Sequence, residues 1–386
     1  MTCISVPAVS AHSVFRNLTI LMALLLVAEA AFGQRIPGTI RPGQIERQFE
    51  GRKSPQAVEP AQKGRRDMPL PDAPPGADEI RLLVNDIELD GATVYPTAEL
   101  REIYQQELGQ ELSLADIYEI ANNITRRYRS DGYVISQVLV PEQDVEGGVV
   151  RLQVLEGFID DVQVRGELPG RSEHVQRLLA NITEEKPVHI HTIERYMLLV
   201  NDIDGIYAQS TLVPGSVLGS STLVVDVSRS AFDALVGIDN RGSEFLGPVR
   251  GRLELDFNTL FGTYSSLGAF ISSTGSNDEL HFGALSFQSR LGDNGLKILG
   301  NASIVRSEPE QSVQSRGLET DSESALLALS YPILRTRSQN LTFNGQFSYY
   351  DGDVDLLGFT ISEDRVRALR LGLTWDLFDQ YGGVNI

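Results

Sequence analysis

The sequence predicts two small α+β units in tandem followed by an all-β membrane barrel. Three observations carry that reading. An internal repeat recurs at an offset of 73 residues, from Gly132 to Gly205. Strict two-residue alternation takes over after residue 230. An export signal opens the chain, and no later apolar run approaches the length of a membrane helix.

Residues 1–33 read as a signal peptide. Arg16 supplies the positive charge, Leu18 to Ala28 is nearly all apolar, and small residues follow at Ala28, Ala30, Ala31 and Gly33. About eleven apolar residues are too few to span a bilayer, which needs about 20. Residues 34–78 are polar and rich in Pro, Gly and Arg. Pro42 to Arg52 fits a short helix with Pro42 in its first turn. Prolines at 55, 60, 69, 71, 74 and 75 make the rest an extended linker.

The repeat comes next, as one unit over residues 79–156 and a second over 157–229. Gly132-Tyr-Val-Ile-Ser-Gln-Val-Leu-Val-Pro141 is echoed by Gly205-Ile-Tyr-Ala-Gln-Ser-Thr-Leu-Val-Pro214. Nine residues after each proline an alternating strand begins, at Val150 and at Leu223. Each unit reads strand, helix, helix, strand, strand (β-α-α-β-β). In the first, Ile80 to Leu89 is a strand and Pro96 to Leu108 a helix. Ser113-Leu-Ala-Asp116 has the spacing of a capping box. The helix it opens places Leu114, Ile117, Ile120, Ala121, Ile124 and Tyr128 on one face. Gly132 fits the left-handed stop. In the second, Ile159 to Val164 is a strand, Ser172 to Ala180 a helix, and Ile193, Met197 and Val200 a second helical stripe.

Residues 230–386 read as transmembrane β-strands. In Arg252 to Phe257, Leu341 to Tyr349 and Leu369 to Leu377, apolar residues alternate with polar or small ones. About nine residues of alternation suit a strand tilted across ~30 Å of hydrocarbon, with one face to lipid and one to the lumen. Gly292-Asp-Asn-Gly295 suits a tight turn and Ser307 to Glu319 an outside loop.

The formal net charge of −19 argues against nucleic acid as a partner. Cys3 is the sole cysteine, so a disulfide framework is excluded. No phosphate-binding Gly-rich loop with lysine and no Gly-x-Ser-x-Gly elbow occurs. His189-Ile-His191 with Glu194 has ligand-like residue types, and reads as a polar loop opening a helix. No catalytic residue, nucleotide, cofactor or metal is expected.

These stretches together resemble the transporter half of two-partner secretion, the hemolysin/hemagglutinin secretion-activation (ShlB/FhaC/HecB-like) family, whose soluble repeats are POTRA domains. The matching phrases are Leu112 to Ile117 through Tyr128 and Gly132-Tyr-Val, Leu139 to Asp144, and Val154 to Ile159. Asp239-Asn-Arg-Gly242, Tyr331 to Leu341 and Leu369 to Asn385 follow, and Gln44 to Gln48 resembles the plug helix. The resemblance implies a Gram-negative-type outer-membrane transporter with periplasmic POTRA units and no enzyme activity. Its partners would be outer-membrane lipid and an unfolded exoprotein of hemolysin, hemagglutinin or adhesin type, met through its N-terminal secretion domain. The family's barrel has sixteen strands, and residues 230–386 have room for about eight at ~10 residues each, so a half barrel is expected. The expected docking edge is Tyr133 to Val140. Tyr133, Ile135, Gln137 and Leu139 form the edge, and Ile117, Ile120 and Ile124 lie on the helix beside it. The rival readings are a barrel-assembly insertase of the same superfamily, which usually carries more POTRA units, and a passive pore, which lacks them. A hydrolase borne on a barrel would need a nucleophile motif.

Overall fold

The computed structural model describes residues 69–166, 173–242, 246–260, 264–274, 280–308, 317–379 and 382–385. The expected signal peptide and plug-like helix lie outside them, as does most of the expected outside loop.

The first unit contains β1 (Arg81–Val84), β2 (Asp86–Asp90), α1 (Thr97–Arg101), β3 (Gln110–Ser113), α2 (Leu114–Ser130), β4 (Gln137–Leu139) and β5 (Val149–Leu155). Its main sheet has the order β2-β5-β4, with β2 parallel and β4 antiparallel to β5. The helix α2 starts where the sequence places it. Ser113 Oγ accepts from the Asp116 N–H at 3.2 Å, and Asp116 Oδ2 accepts from the Ser113 N–H at 2.7 Å. The Ser113 N–H bond, with the Ser113 hydroxyl donating to the same oxygen at 2.8 Å, holds the Asp116 carboxyl below its ordinary pKa. The stripe Ile117, Ile120, Ala121, Ile124 and Tyr128 is buried against Leu152 and Val154, each large side chain contributing about 1.5–3 kcal/mol on burial.

Two sequence expectations change here. The strand expected over Ile80 to Leu89 breaks at Asn85, whose N–H donates to the Gly148 carbonyl at 2.8 Å. β1 then leaves the main sheet and pairs with β3 in a separate ribbon. The helix expected over Pro96 to Leu108 is α-helical only over Thr97–Arg101. Beyond it, Glu102 and Ile103 bond back three residues, and the Gly109 N–H is drawn to the Val84 carbonyl at 2.7 Å. The ribbon pulls the helix end tight.

The second unit repeats the plan with β6 (Phe158–Gly166), α3 (Glu173–Ala180), a 3-10 turn at Asn181–Glu184, α4 (Ile190–Asn201), β7 (Ile206–Pro214) and β8 (Ser220–Arg229). Its sheet order is β6-β8-β7. Ile159, Leu178, Leu179, Ile193, Met197, Val200 and Val225 share its core.

The remaining strands are β9 (Phe232–Asp239), β10 (Arg250–Phe257), β11 (Ser265–Thr274), β12 (His281–Leu291), β13 (Leu296–Ser307), β14 (Leu318–Arg335), β15 (Gln339–Leu356), β16 (Phe359–Asp379) and β17 (Gly382–Asn385). They form one antiparallel sheet in sequence order, with β9 and β17 outermost, and the sheet is not closed. The register puts Phe343, Phe347, Leu369, Leu371, Leu373 and Trp375 on one face. Asn344, Gln346, Ser348, Arg370 and Thr374 take the other. Leu369 is 73% and Leu371 69% exposed, as a lipid-facing surface requires. No helix among the described residues is long and apolar enough to cross a membrane.

β14 and β15 are 18 residues long and β16 is 21, well beyond the ~9–11 that span hydrocarbon. At the end away from the α+β units their apolar face gives way to charge. Arg306 meets Asp321 at 2.9 Å, and Arg365 meets Asp351 at 3.3 Å.

The two repeat glycines both take the left-handed backbone, with φ 96° at Gly132 and 71° at Gly205. A Cβ at Gly132 would overlap the His189 imidazole, and one at Gly205 the Ser230 carbonyl. Residues 79–229 expressed alone should melt cooperatively by circular dichroism. Gly132→Val and Gly205→Val should each cost that fragment about 1 kcal/mol or more. A disordered fragment, or two unchanged melting points, would refute the account of the repeat.

Candidate docking site

Docking of an extended chain needs a sheet edge whose outward N–H and C=O groups are unpartnered. The expected edge, Tyr133 to Val140, is a strand only over Gln137–Leu139. Its outward side is already occupied: the Val138 N–H donates to Thr125 Oγ1 of α2 at 3.0 Å, and Thr125 is fully buried. Gln137 and Leu139 pair with Leu155 and Gln153 of β5. Past Leu139 the chain leaves the sheet. The Gln143 side chain replaces it, accepting from the Arg151 N–H and donating to the Arg151 carbonyl, both at 2.7 Å. Ile117, Ile120 and Ile124 are 1%, 2% and 0% exposed, so they are core and cannot touch a partner.

Tyr133 and Ile135 serve a different purpose, the joint between the two units. Ile135 packs against the second unit's core and against Gly157, whose N–H donates to Ser136 Oγ at 3.0 Å. The Tyr133 ring stands edge-on to His189 at 5.2 Å. His189 caps α4: its Nδ1 accepts from the His191 N–H at 3.1 Å, which leaves Nε2–H to donate to the Asp131 carbonyl at 2.9 Å. The Ile190 N–H donates to the Gly132 carbonyl at the same distance. The histidine pair read from the sequence as opening a helix does so while binding the first unit to the second. Its partner, Asp131, lies 58 residues earlier in the chain, so sequence pattern could not reveal the joint.

A carboxylate stiffens each unit. Glu156 accepts from the N–H groups of Thr93 and Val94 at 2.6 and 2.8 Å and from the Tyr128 hydroxyl at 2.8 Å. Burial raises its pKa, but a bond from the Thr93 hydroxyl together with these outweighs burial and leaves it lowered. Burial and the Glu156 bond push the Tyr128 hydroxyl above its ordinary value. In the second unit Asp160 accepts from the Ser216 N–H and hydroxyl, both at 2.7 Å, from the Ser220 hydroxyl at 2.8 Å and from Thr222 at 3.1 Å. The Ser216 backbone bond leads in driving its pKa far down. Asp160 thereby fixes the β7–β8 connection.

The second unit in turn sits on the strand ends of the large sheet. Arg335 grips Asp202 with two bonds of 3.0 and 2.8 Å, and Arg290 donates to the Asp202 carbonyl. Ser266 donates to Asp204 at 2.5 Å. Arg195 of α4 donates to the Pro332 and Ile333 carbonyls, both at 3.3 Å. His174 and Arg177 of α3 meet Asp293 in the β12–β13 turn at 3.3 and 3.4 Å. All these partners lie at one end of the sheet, which fixes that end as the one bearing the units. Among the described residues no group of His, Cys, Asp and Glu is arranged to hold a metal.

Paired β-α-α-β-β units docked on the strand ends of an outward-apolar antiparallel sheet define a POTRA-bearing membrane barrel protein. Residues 82–157 match the POTRA domain, ShlB-type, and residues 219–385 match the haemolysin secretion/activation protein ShlB/FhaC/HecB. The chain belongs to the two-partner secretion transporter family. Heme/hemopexin transporter protein HuxB of Haemophilus influenzae is 25% identical over 73% of this chain and 50% of its own length. Outer membrane transporter CdiB of Escherichia coli is 27% identical over 50% of this chain and 33% of its own. The chain thus spans about half the length, or less, of these curated relatives. Among solved structures, CdiB from Escherichia coli superposes with a TM-score of 0.67 at 21% identity, covering 92% of this chain and 67% of that one. CdiB from Acinetobacter baumannii gives 0.53 at 14%, covering 99% and 70%. At these identities the likeness is one of fold.

Two tests follow from the geometry. Thr125→Val strands the buried Val138 N–H and should destabilise the 79–229 fragment by about 1–3 kcal/mol, whereas Thr125→Ser keeps most of the stability; denaturant melts would read both. Asp160 has a depressed folded pKa, so its contribution is present above the unfolded carboxylate value of about 3.9 and is lost as pH falls below it. The fragment should therefore lose stability below about pH 4, and Asp160→Asn should flatten that fall. An Asp160→Asn variant with the parent's acid profile would exclude this role.

Proposed function

We propose that this protein is an outer-membrane transporter that receives an unfolded exoprotein through its paired POTRA units and passes it across the membrane. The two units lie on the periplasmic side, and the strands cross the lipid. The single observation that carries the reading is the docking of the second unit onto the sheet. Asp202, Asp204, Arg195 and Arg177 tie it to the strand ends around one mouth of the sheet. A chain held on that unit is delivered to the lumen face, which is lined by Ser, Asn, Gln and Thr from β14 to β16. The names of the relatives, a heme/hemopexin transporter protein and an outer membrane transporter, support the same reading. No step in it needs catalysis or a cofactor, and folding of the exoprotein outside would supply the drive.

Placing the units at 79–156 and 157–229 and the barrel segment at 230–386 makes the test direct. Deleting residues 79–229 from the gene in its native host should remove the neighbouring exoprotein from the medium, while other outer-membrane barrels stay at normal levels. Continued secretion would overturn the reading. A general loss of membrane barrels would favour the insertase.

A further inference from the structure

The second unit meets the large sheet at two places of different chemistry. Beside α4 the hold is permanent charge and packing. Arg335 bonds the Asp202 carboxylate, Arg290 donates to the Asp202 carbonyl, and Leu199 lies against Gly295 in the β12–β13 turn. An arginine and a carboxylate keep their charges across the neutral range. Beside α3 the hold includes a histidine. His174 is the second residue of α3, its side chain is 11% exposed, and Nδ1 stands 3.3 Å from Asp293 Oδ1 in the same turn. The Tyr264 ring, just before β11, lies 4.8 Å from the imidazole. Arg177, one turn along α3, meets the same Asp293 oxygen at 3.4 Å.

Charge counting decides what a proton does there. Among the described residues the groups whose charge acts on His174 are Asp293, Arg177 and Arg290. Arg290 answers Asp202, and Asp293 already answers Arg177. With Nδ1–H donating to Asp293, an added proton goes to Nε2 and makes the ring a cation. That cation has no carboxylate of its own, and it sits in the first turn of α3, where the helix dipole disfavours positive charge. Burial pushes the His174 imidazole below its ordinary pKa; Asp293 pulls the other way, and Arg177 and Arg290 add to the lowering. A base lowered by docking supports the docked state fully above its free value of about 6.5, and that support is lost as pH falls from there through the lower docked value. We infer that the contact between α3 and the β12–β13 turn is a proton-operated clasp: shut when His174 is neutral, released in acid, with the unit then turning on the fixed hold beside α4. The clasp belongs to the seat and stands apart from the transport reading.

The test uses the full chain in detergent, with Cys3→Ser and spin labels at Gln176→Cys in α3 and Asn294→Cys in the turn, both exposed positions. Pulsed electron resonance should give one short distance at about pH 8. Toward about pH 5 a longer distance should join it, and the ratio of short to long should fall by about tenfold for each unit by which docking lowers the imidazole. His174→Gln offers Asp293 an N–H and takes no proton, so the short distance should persist over the whole range. Arg177→Gln frees Asp293 for the protonated ring, so opening should need a lower pH, a shift that a merely packing role for His174 would not give. If His174→Gln disturbs folding, the Arg177→Gln shift decides. A parent chain whose distance does not change overturns the clasp, as does an opening that survives His174→Gln in a folded chain. Opening accompanied by loss of the circular-dichroism signal marks acid unfolding and overturns it as well.

Discussion

The constraint on which the rest depends is that a backbone N–H or C=O cannot be left without a partner in hydrocarbon. Residues 230 onward meet it by consecutive antiparallel pairing, each strand from β10 to β16 held on both sides. That pairing forces the side chains to alternate. The sheet thereby gains its apolar face at Phe347, Leu369 and Leu371 and its polar face at Gln346, Ser348 and Arg370. The same constraint makes β9 and β17, each with one ladder neighbour, the positions where further pairing must occur in a membrane. Outside the lipid the constraint relaxes, since water can serve an open edge. Only there can an edge be kept vacant.

The soluble units use that freedom unequally. They share a plan and a repeat, yet one edge is shut and the other is half open. In the first, Thr125 takes the outward N–H of Val138 and the chain then departs, with Gln143 standing in for the missing strand. In the second, Asn201 closes a single rung and the strand runs on past the end of the helix that would cover it. A polar side chain toward the C-terminal end of a helix, Thr125 in α2 and the final residue Asn201 in α4, thus decides how much of the neighbouring strand is available. The adjacent residue, Asp202, is the one gripped by Arg335. The end of α4 therefore sets both the edge and the unit's seat on the sheet.

Between the units the contacts are short and directional. Asp131 and Gly132 offer carbonyls to His189 and Ile190, and Ile135 fills the space beside Gly157. With Asp202, Asp204 and Asp293 below, these contacts link the first unit to the second and the second to the sheet. The ion pairs toward the sheet, such as Arg335–Asp202 and Arg177–Asp293, are partly exposed, and such pairs give orientation more than stability.

The sequence by itself determined the elements whose cause is local. The capping box at Ser113, the buried stripe from Ile117 to Tyr128, the left-handed glycines 132 and 205 and the alternation of β14 to β16 each follow from residues a few positions apart. It likewise carried the family through the order of those elements. Only the tertiary structure decided the split of Ile80 to Leu89 at Asn85, the early end of α1, and the fate of Tyr133 to Val140. In each case the deciding partner is remote in sequence: Gly148 for Asn85, Val84 for Gly109, Thr125 for Val138, and His189 for Tyr133. Periodicity shows which face of an element is apolar, because apolar contact is non-directional and needs only proximity. It does not show whether a given backbone N–H already has its partner, because that depends on one atom arriving at about 3 Å from elsewhere in the fold.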